Sequence, residues 1–368
     1  MSNKKLITSR TSEYKKRNRQ IFSPTFRKNW FLFNQSTMGR IGIIIIMIFA
    51  ILALVQPLFF ISGYWSDTVY DPVVGYDPIE VNLLIVVCPK KAEFPTEKYE
   101  KPKDCPGNGE ISDRMVMPFA PMAKPGDYYE TFLQPSPPSS DHWLGTDSLG
   151  RDVFSQIMEG SQVAFMLGLM SATLSVGIAT LLGTLAASWG GKVDAYIMRQ
   201  ADLILMLPQL PLLLIMAALY RFKVWHLALV LGILGGFGGL VISVKSQALQ
   251  VKVKPFVDSA RVTGGTKFKI MTSHILPNVA PIALLFMVFG VTGAIFAEST
   301  LSYLGLLNID MSWGMMIYLA QTDGYIFSGL RYWWLVFPAG LSVTFLSGGF
   351  YLVGRGLDDV FNPRLRRR

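Results

Sequence analysis

The chain has 368 residues, of which 51% are hydrophobic and only 16% are charged. Soluble domains usually carry about a quarter charged residues, so this composition, with a mean hydropathy of +0.37, excludes an ordinary soluble domain and indicates an integral membrane protein. The net charge of +9 is also typical of proteins that bind nucleic acid. The position of the basic residues beside the membrane explains the excess, so we expect no nucleic-acid partner.

The first 40 residues carry ten Lys and Arg residues against one acidic residue. No apolar period runs through residues 1–40, so we expect a basic cytoplasmic tail that is flexible or lies on a surface. A secretory signal peptide is not expected, because the first apolar run begins only at residue 41 and is long enough to span a membrane. Residues 355–368 are predicted to form a second basic cytoplasmic tail, whose last arginines can rest on anionic membrane lipid.

Apolar stretches long enough to cross about 30 Å of hydrocarbon occur six times along the chain. We therefore predict an all-α integral membrane protein with six transmembrane helices. The last five are predicted to form a core over residues 163–354, interrupted by a cytoplasmic loop at 245–277. The predicted spans are residues 41–61, 163–189, 202–220, 224–244, 278–298 and 333–354.

The orientation follows from the distribution of lysine and arginine, which concentrate in cytoplasmic loops. With the N-terminus inside, the cytoplasmic parts are residues 1–40, 190–201, 245–277 and 355–368. These parts hold most of the 34 Lys and Arg residues but few of the 25 Asp and Glu residues. Both termini are therefore predicted to be cytoplasmic.

Residues 62–142 differ from the rest of the chain, since they are rich in Pro, Asp, Glu and Tyr. They predict a large extracytoplasmic insertion between the first and second helices. The insertion contains both cysteines, Cys88 and Cys105. Outside the membrane these could form a disulfide, or they could remain two free thiols.

Residues 143–162 lie between this insertion and the second span. Val153, Phe154 and Ile157 recur at helical spacing, with polar residues on the other side. The pattern predicts a short helix lying at the outer membrane interface, although packing alone would give the same period.

The third and fourth spans contain residues that disturb a regular helix. Pro208 and Pro211 remove backbone donors and should kink the third span. The fourth span has glycines at GxxxG spacing, which lets a helix backbone approach a neighbour closely; a loosely ordered or kinked helix is the alternative. These glycines are Gly232, Gly235, Gly236 and Gly239.

The sequence gives little support for an enzyme, and we predict no catalytic residue. His142, His226 and His274 stand far apart without paired-ligand spacing, so we expect no metal site. The phosphate-binding pattern GxxxxGK[ST] is also missing, and the nearest match, around Lys192, lacks its first glycine and its hydroxyl residue. We expect the chain to bind no cofactor, and if it drives uphill transport, the energy must come from a partner or from an ion gradient. No acidic residue lies in the middle of a span, which weakens an ion-driven mechanism.

The segment VDSARVTGGTKFKIMTSHILPN, residues 257–278, is polar and broken by glycine. Pro255 suits a first helical turn, because its missing N–H would have had no partner there. Gly264 and Gly265 should end this helix, since glycine tolerates the left-handed conformation of a helix C-terminus. Thr266 can cap a second helix that runs to Pro277. The sequence therefore predicts two short helices joined at an angle, with small residues at the surface of the first.

The same segment resembles the coupling loop of ABC importer permeases. Their pattern is EAAxxxG followed by IxLP, and this chain has DSARVTG at 258–264 and HILP at 274–277. Three further stretches resemble the oligopeptide and dipeptide branch of that family: HWLGTDSLGRDVFS, AESTLSYLGL with SWGMM, and YWWLVFPAGLSV with GRGLDDVFNPRLRRR. The chain is thus similar to the C-type permease of oligopeptide importers over about residues 142–367.

The resemblance implies a type I ABC importer permease fold. It implies as partners a sister permease in a heterodimer, two ABC ATPase subunits, an extracytoplasmic peptide-binding protein and a peptide substrate. The ATPase subunits would dock on the loop. The residues implied for this docking are Phe256, Asp258, Ser259, Ala260, Arg261, Gly264 and Phe268.

Two features depart from the family pattern. Phe237 and Gly238 stand where the family usually has tryptophan and proline, and the insertion at 62–142 is unusually long. Four other functions stay open: import of a metal such as nickel, or of a sugar, by the same architecture; a gradient-driven secondary carrier; and a membrane-bound scaffold. No substrate-binding residue can be assigned from the sequence.

Overall fold

The computed structural model describes residues 24–66, 68–73, 82–86, 128–132, 135–140, 142–220, 222–307 and 309–361. Its contacts divide the chain into two compact units, one of residues 1–58, 157–318 and 338–368, and one of residues 59–156 and 319–337. The elements, in chain order, are α1 (Pro24–Gln35), α2 (Thr37–Ile61), β1 (Asn82–Val86), β2 (Tyr128–Phe132), α3 (Val153–Trp189), α4 (Gly191–Met206), α5 (Gln209–Leu219), α6 (Val224–Phe237), α7 (Gly239–Lys252), α8 (Pro255–Val262), α9 (Lys267–Ile270), a π-helical turn (Met271–Ile275), α10 (Leu276–Tyr303), α11 (Trp313–Thr322), a 3₁₀ segment (Tyr325–Tyr332) and α12 (Trp333–Phe361).

Within the described residues, four continuous helical stretches are long and apolar enough to cross a membrane. They are Thr37–Ile61, Val153–Trp189, Lys267–Tyr303 and Tyr325–Val360. Two further pairs, α4 with α5 and α6 with α7, pass the same test only when each pair is taken together. The protein is therefore a multi-pass membrane protein with four to six spans, and the count of six stays a prediction.

The two bent pairs have identifiable causes. Helices α4 and α5 meet at 78° around Pro208, which has no N–H to continue the helix. Pro211, predicted to add to this kink, instead lies in the first turn of α5, where a missing N–H leaves no bond unmade. Helices α6 and α7 meet at 43° around Gly238, whose φ of −84° and ψ of −139° are not helical. The sequence analysis gave a kinked fourth span only as the alternative to close packing, and the position of this break at Gly238 was not predicted.

Several predicted boundaries differ from the structure. Residues 143–162 were predicted to contain a separate interfacial helix, but the helix begins only at Val153, and residues 153–162 are the first turns of α3 and continue directly into the span. Residues 24–35, predicted to belong to a flexible or surface-lying tail, form α1, while residues 1–23 lie outside the described part. At the other end α12 continues to Phe361. In α3 and α12 the helix extends beyond the apolar residues by which the span was recognised, whereas α1 is a separate helix before α2.

The unit of residues 59–156 and 319–337 contains the strands. β1 and β2 pair antiparallel, with Asn82 opposite Phe132 and Val86 opposite Tyr128. The all-α prediction therefore applies to the helical spans, and the segment predicted as an insertion adds a two-stranded sheet. Cys88 and Cys105 lie outside the described residues, so their pairing stays a prediction.

A buried polar network occupies the stretch HWLGTDSLGRDVFSQ of this unit. Arg151 Nη2 lies 2.6 Å from Asp147 Oδ2, and Gln156 Nε2 donates to the same oxygen at 2.9 Å. Separately, the His142 ring Nδ1 lies 3.0 Å from Asp152 Oδ2. All five side chains are buried, so their polar groups need these partners inside the protein. The polar residues of this motif are therefore held by hydrogen bonds inside the protein, to one another and to neighbouring backbone such as Pro72 O.

Candidate functional site: an exposed two-helix loop

Residues 254–277, here called the two-helix loop, connect α7 to α10. Pro255 is the first residue of α8, and Lys254 before it is extended, with φ of −79° and ψ of 144°. A residue before proline disfavours the helical conformation, so the chain leaves α7 before α8 begins. This is the helix start that the sequence predicts.

The end of α8 is also set by local chemistry. Gly264 has a φ of +86°, and its N–H donates to Arg261 O at 3.1 Å. The Gly265 N–H donates to Ala260 O at 2.9 Å, which completes a Schellman motif. Thr266 then caps α9, because its Oγ1 accepts from the Lys269 N–H at 3.3 Å. The glycine pair and the threonine take the roles predicted from the sequence.

One side chain of α8 fixes the loop to the helical bundle. Val257 is fully buried in an apolar cluster that also contains Ile270 and Ile275 of the loop. The same cluster includes Ala187 of α3 and Ala248 of α7. Protein interiors are close-packed and poorly compressible, so Val257 passes movement of α8 on to the side chains around it. Val257 was not singled out in the sequence, although its apolar character two residues after Pro255 was a usable signal.

The opposite side of the loop is exposed. Phe256 is 40% exposed and Phe268 is 63% exposed, so both aromatic rings leave apolar surface that this chain does not cover. Arg261 Nη1 lies 2.8 Å from Asp258 Oδ1, and both side chains are more than half exposed. Ser259 and Gly264 are also exposed, whereas Ala260 is half-buried. Six of the seven predicted docking residues therefore lie at the exposed surface.

Val262 belongs to this surface too, and the sequence analysis missed it. It is 88% exposed at the last position of α8, five residues after the buried Val257. Five residues correspond to well over one turn, which places the two valines on different sides of the helix. Helical periodicity counted from Val257 would have identified it.

Gly232, Gly235 and Gly236 of α6 lie against α3, whereas Gly239 begins α7 and has Leu205 of α4 as its neighbour. A Cβ on Gly232 would lie 2.7 Å from Leu174 Cδ2, and one on Gly236 would lie 2.8 Å from Ile178 Cβ and 3.0 Å from Ser175 O. Those distances leave no room for a side chain. Gly235 and Gly239 are looser, at 3.2 Å and 3.7 Å from their nearest neighbours. Close approach therefore depends on Gly232 and Gly236.

A cavity of about 490 Å³ lies where the two bent helix pairs meet. Broken helices leave backbone groups unpaired, and at membrane depth such backbone is tolerated only where it is covered by protein or borders water. The walls are apolar except for one amide side chain. They include Leu205, Leu207, Gln209, Leu234, Gly238 and Leu240.

In the part of the chain that the structure describes, no three His, Cys, Asp or Glu side chains lie together where they could hold a metal ion. Glu298 of α10 is buried and accepts hydrogen bonds from Ser302 Oγ at 2.7 Å and Ser299 Oγ at 3.2 Å. Its neighbourhood is tightly packed, since a Cβ on Gly314 would lie 2.5 Å from Ser299 O. The stretch AESTLS thus has a structural explanation.

Comparison with known proteins adds the family. Residues 179–367, just over half of the chain, match the family described as "Binding-protein-dependent transport system inner membrane component". The oligopeptide transport system permease protein OppC of Bacillus subtilis is 34% identical over 253 residues, covering 68% of this chain and 81% of that protein. The dipeptide transport system permease protein DppC of the same organism is 34% identical over 236 residues, or 63% and 71%. The probable D,D-dipeptide transport system permease protein DdpC of Escherichia coli K12 is 32% identical over 230 residues, or 62% and 75%. The chain therefore belongs to the family of binding-protein-dependent transport system inner membrane components, as a permease of the oligopeptide and dipeptide branch.

Proposed function

We propose that this permease is one half of a heterodimer that imports oligopeptides or dipeptides using ATP hydrolysed by partner subunits. A sister permease completes the translocation pathway, and an extracytoplasmic binding protein delivers the peptide. Two ABC ATPase subunits bind ATP and Mg²⁺, while this chain binds no cofactor itself. The observation that carries the proposal is the two-helix loop, which is exposed on one side and anchored through Val257 on the other.

The docking surface for an ATPase subunit is the exposed side of the loop. Phe256, Val262 and Phe268 are exposed and offer apolar contacts. Aromatic side chains are the usual anchors of protein interfaces, and an exposed ion pair such as Asp258 with Arg261 suits the polar rim. Gly264 fixes the angle between the two helices through its positive φ.

Transport requires the loop to move as one piece with the spans. Closure of the ATPase dimer on ATP would draw the two permeases' loops together, and the buried Val257 would carry that movement into the bundle. The breaks at Pro208 and Gly238 are the natural hinges, because helical hydrogen bonds are already interrupted there. Hydrolysis then permits the return movement.

The apolar cavity between the bent pairs supports a pathway of low selectivity. Its walls offer one amide, Gln209, and no charged side chain to recognise a particular residue. Peptides vary in their side chains, so a wall without specific partners suits them, and the binding protein would supply selectivity. Individual peptide contacts are not assigned.

We place both termini and the docking surface of the loop on the cytoplasmic side. Lys252, Lys254, Lys267 and Lys269 all lie on or beside the two-helix loop, as expected for a cytoplasmic segment. The binding protein would then dock from the extracytoplasmic side.

Reconstitution tests the proposal. The permease, its sister, the ATPase subunits and the binding protein are placed in liposomes, and uptake of a labelled tripeptide is measured with ATP available to the ATPase subunits. Uptake is expected only when ATP and the binding protein are both present. Peptide uptake driven by an ion gradient without ATP would overturn the proposal, and so would ATP-driven uptake of nickel or a sugar with no peptide uptake.

A further inference from the structure

Two lysines of α7 point at the corner where α3 ends and α4 begins. Lys245 and Lys252 are seven residues apart, which is close to two turns, so they share one face of the helix. Lys245 Nζ lies 2.5 Å from Asp194 Oδ1 in the first turn of α4. Lys252 Nζ donates to Ala187 O at 2.6 Å and lies 3.4 Å from Ser188 O.

The carbonyls that Lys252 reaches are those that a helix end leaves without partners. The last four C=O groups of a helix have no N–H ahead of them and carry the negative end of the helix dipole. Ala187 and Ser188 fall within this last turn of α3, which ends at Trp189. An ammonium group is a suitable partner for them, since it offers three donors and a positive charge.

Lys252 is also the last residue of α7, directly before the two-helix loop. Only Val253 and Lys254 separate α7 from α8. Val253 has φ of −92° and ψ of 8°, and Lys254 is extended, so neither continues α7 as a regular helix into α8. Along the backbone, movement of α8 therefore reaches α7 only through a short non-helical joint, residues 253 and 254, and Lys252 is the α7 residue next to this joint.

We propose that Lys252 is a positioning residue that fastens this joint to α3, so that displacement of the two-helix loop is transmitted to the second span. The inference rests on the proposed docking of ATPase subunits to the loop. Lys252 acts through α3 and does not touch ATP or peptide. Without its hydrogen bonds, the joint bends at Val253 and Lys254, and part of the movement of α8 is lost before it reaches α3.

The experiment compares three variants in the complete reconstituted complex with its binding protein. Lys252→Met keeps the long apolar stem but removes the donors, while Lys252→Arg keeps a cationic donor. Lys192→Met is the matched control, because Lys192 lies in the same α3–α4 corner but is exposed. The measured quantity is the amount of peptide imported per ATP hydrolysed.

We expect Lys252→Met to lower this ratio about fivefold, within the range by which single residues modulate coupling between distant sites. ATP hydrolysis should continue, Lys252→Arg should restore most of the ratio, and Lys192→Met should leave it unchanged. A ratio equal to that of the wild-type protein in Lys252→Met would overturn the inference. An equal loss of ATP hydrolysis and uptake in Lys252→Met and Lys252→Arg would also overturn it, because general damage predicts that result.

Hydrogen exchange separates this inference from the proposed function. Amides at residues 249–256 and at the end of α3 should exchange faster in Lys252→Met than in Lys192→Met, whether or not peptide is transported. If the wild-type complex hydrolyses ATP without importing peptide, the proposed function fails. In that case, unchanged hydrogen exchange in Lys252→Met would also overturn the proposed role of Lys252 in fastening the joint to α3. Faster hydrogen exchange would support that role.

Discussion

The two-helix loop and the stretch HWLGTDSLGRDVFSQ are both polar, contain glycine and resemble motifs of one permease family, yet they are built in opposite ways. In the second stretch Asp147, Arg151 and Gln156 are buried and bond to one another. In the loop the ion pair between Asp258 and Arg261 is more than half exposed. Resemblance alone does not distinguish a motif that holds the protein together from one that meets a partner, whereas burial and hydrogen-bond satisfaction do.

The largest effect is expected on stability, when the buried polar network around Asp147 is broken. Arg151→Met leaves the Asp147 carboxylate buried without its ion-pair partner, which should lower the free energy of unfolding by about 3–5 kcal/mol. Thermal unfolding in detergent, with the yield of inserted protein, measures the loss. Removing the charge of both partners in Arg151→Met with Asp147→Asn should recover part of it. A single variant as stable as the wild-type protein would contradict the assignment of this motif to structure.

The next largest effect is expected on peptide uptake, from a change in the angle between α8 and α9 of the two-helix loop. Gly264→Val places a β-branched residue at a φ of +86°, which costs about 1–3 kcal/mol locally, although no atom lies within 4 Å of the new Cβ. We expect peptide uptake to be lost while ATP hydrolysis continues. Gly264→Asn is the matched control, since asparagine tolerates this conformation, and it should retain uptake. Normal uptake with Gly264→Val would refute the role of the loop angle.

A smaller effect tests the glycine contact between α6 and α3. Gly236→Ala inserts a methyl group 2.8 Å from Ile178 and 3.0 Å from Ser175 O, and should destabilise by about 1–3 kcal/mol. Gly239→Ala has 3.7 Å of space and should be close to neutral. The midpoints of thermal unfolding compare the two. Equal midpoints would show that the close approach contributes nothing to stability.

The smallest effect is expected at the exposed ion pair. Asp258→Asn should change the free energy of unfolding by less than about 1 kcal/mol, because exposed pairs are solvated and screened. Any effect on uptake must then come from weaker docking of the ATPase subunit. Unfolding in denaturant, beside co-purification of the ATPase, separates these effects. A loss of stability as large as that in Arg151→Met would contradict the distinction between the exposed loop and the buried stretch that stabilises the protein.

The parts of the fold that were predictable from the sequence are those set by neighbouring residues. Pro255, the pair Gly264 and Gly265, and Thr266 specify the ends of α8 and α9 through backbone chemistry that acts within four or five residues. The exposure of Phe256 was not a local property, since the same pattern describes a loop helix packed on its own protein.

The missed features depend on distant residues. Val257 holds α8 in place because it shares an apolar cluster with residues of α3 and α7. Lys252 can bond to α3 because that helix ends beside it. The break at Gly238 is hard to recognise in the sequence, because other glycines close to it remain helical. The pairing of β1 with β2 joins segments more than forty residues apart, for which local patterns carry little signal.

The central claim, that an ATPase subunit docks on the exposed side of the two-helix loop, is tested most directly by site-directed cross-linking. Cys88 and Cys105 are replaced by serine, a cysteine is placed at Val262 or Ala260, and a short bifunctional reagent is applied to membranes that contain the complete transporter. A cysteine at Val73, exposed in the unit that contains the strands, is the control. The account predicts capture of an ABC ATPase from position 262, less from the half-buried position 260 and none from position 73. An intact transporter whose ATPase is captured from position 73 and not from the loop would contradict it.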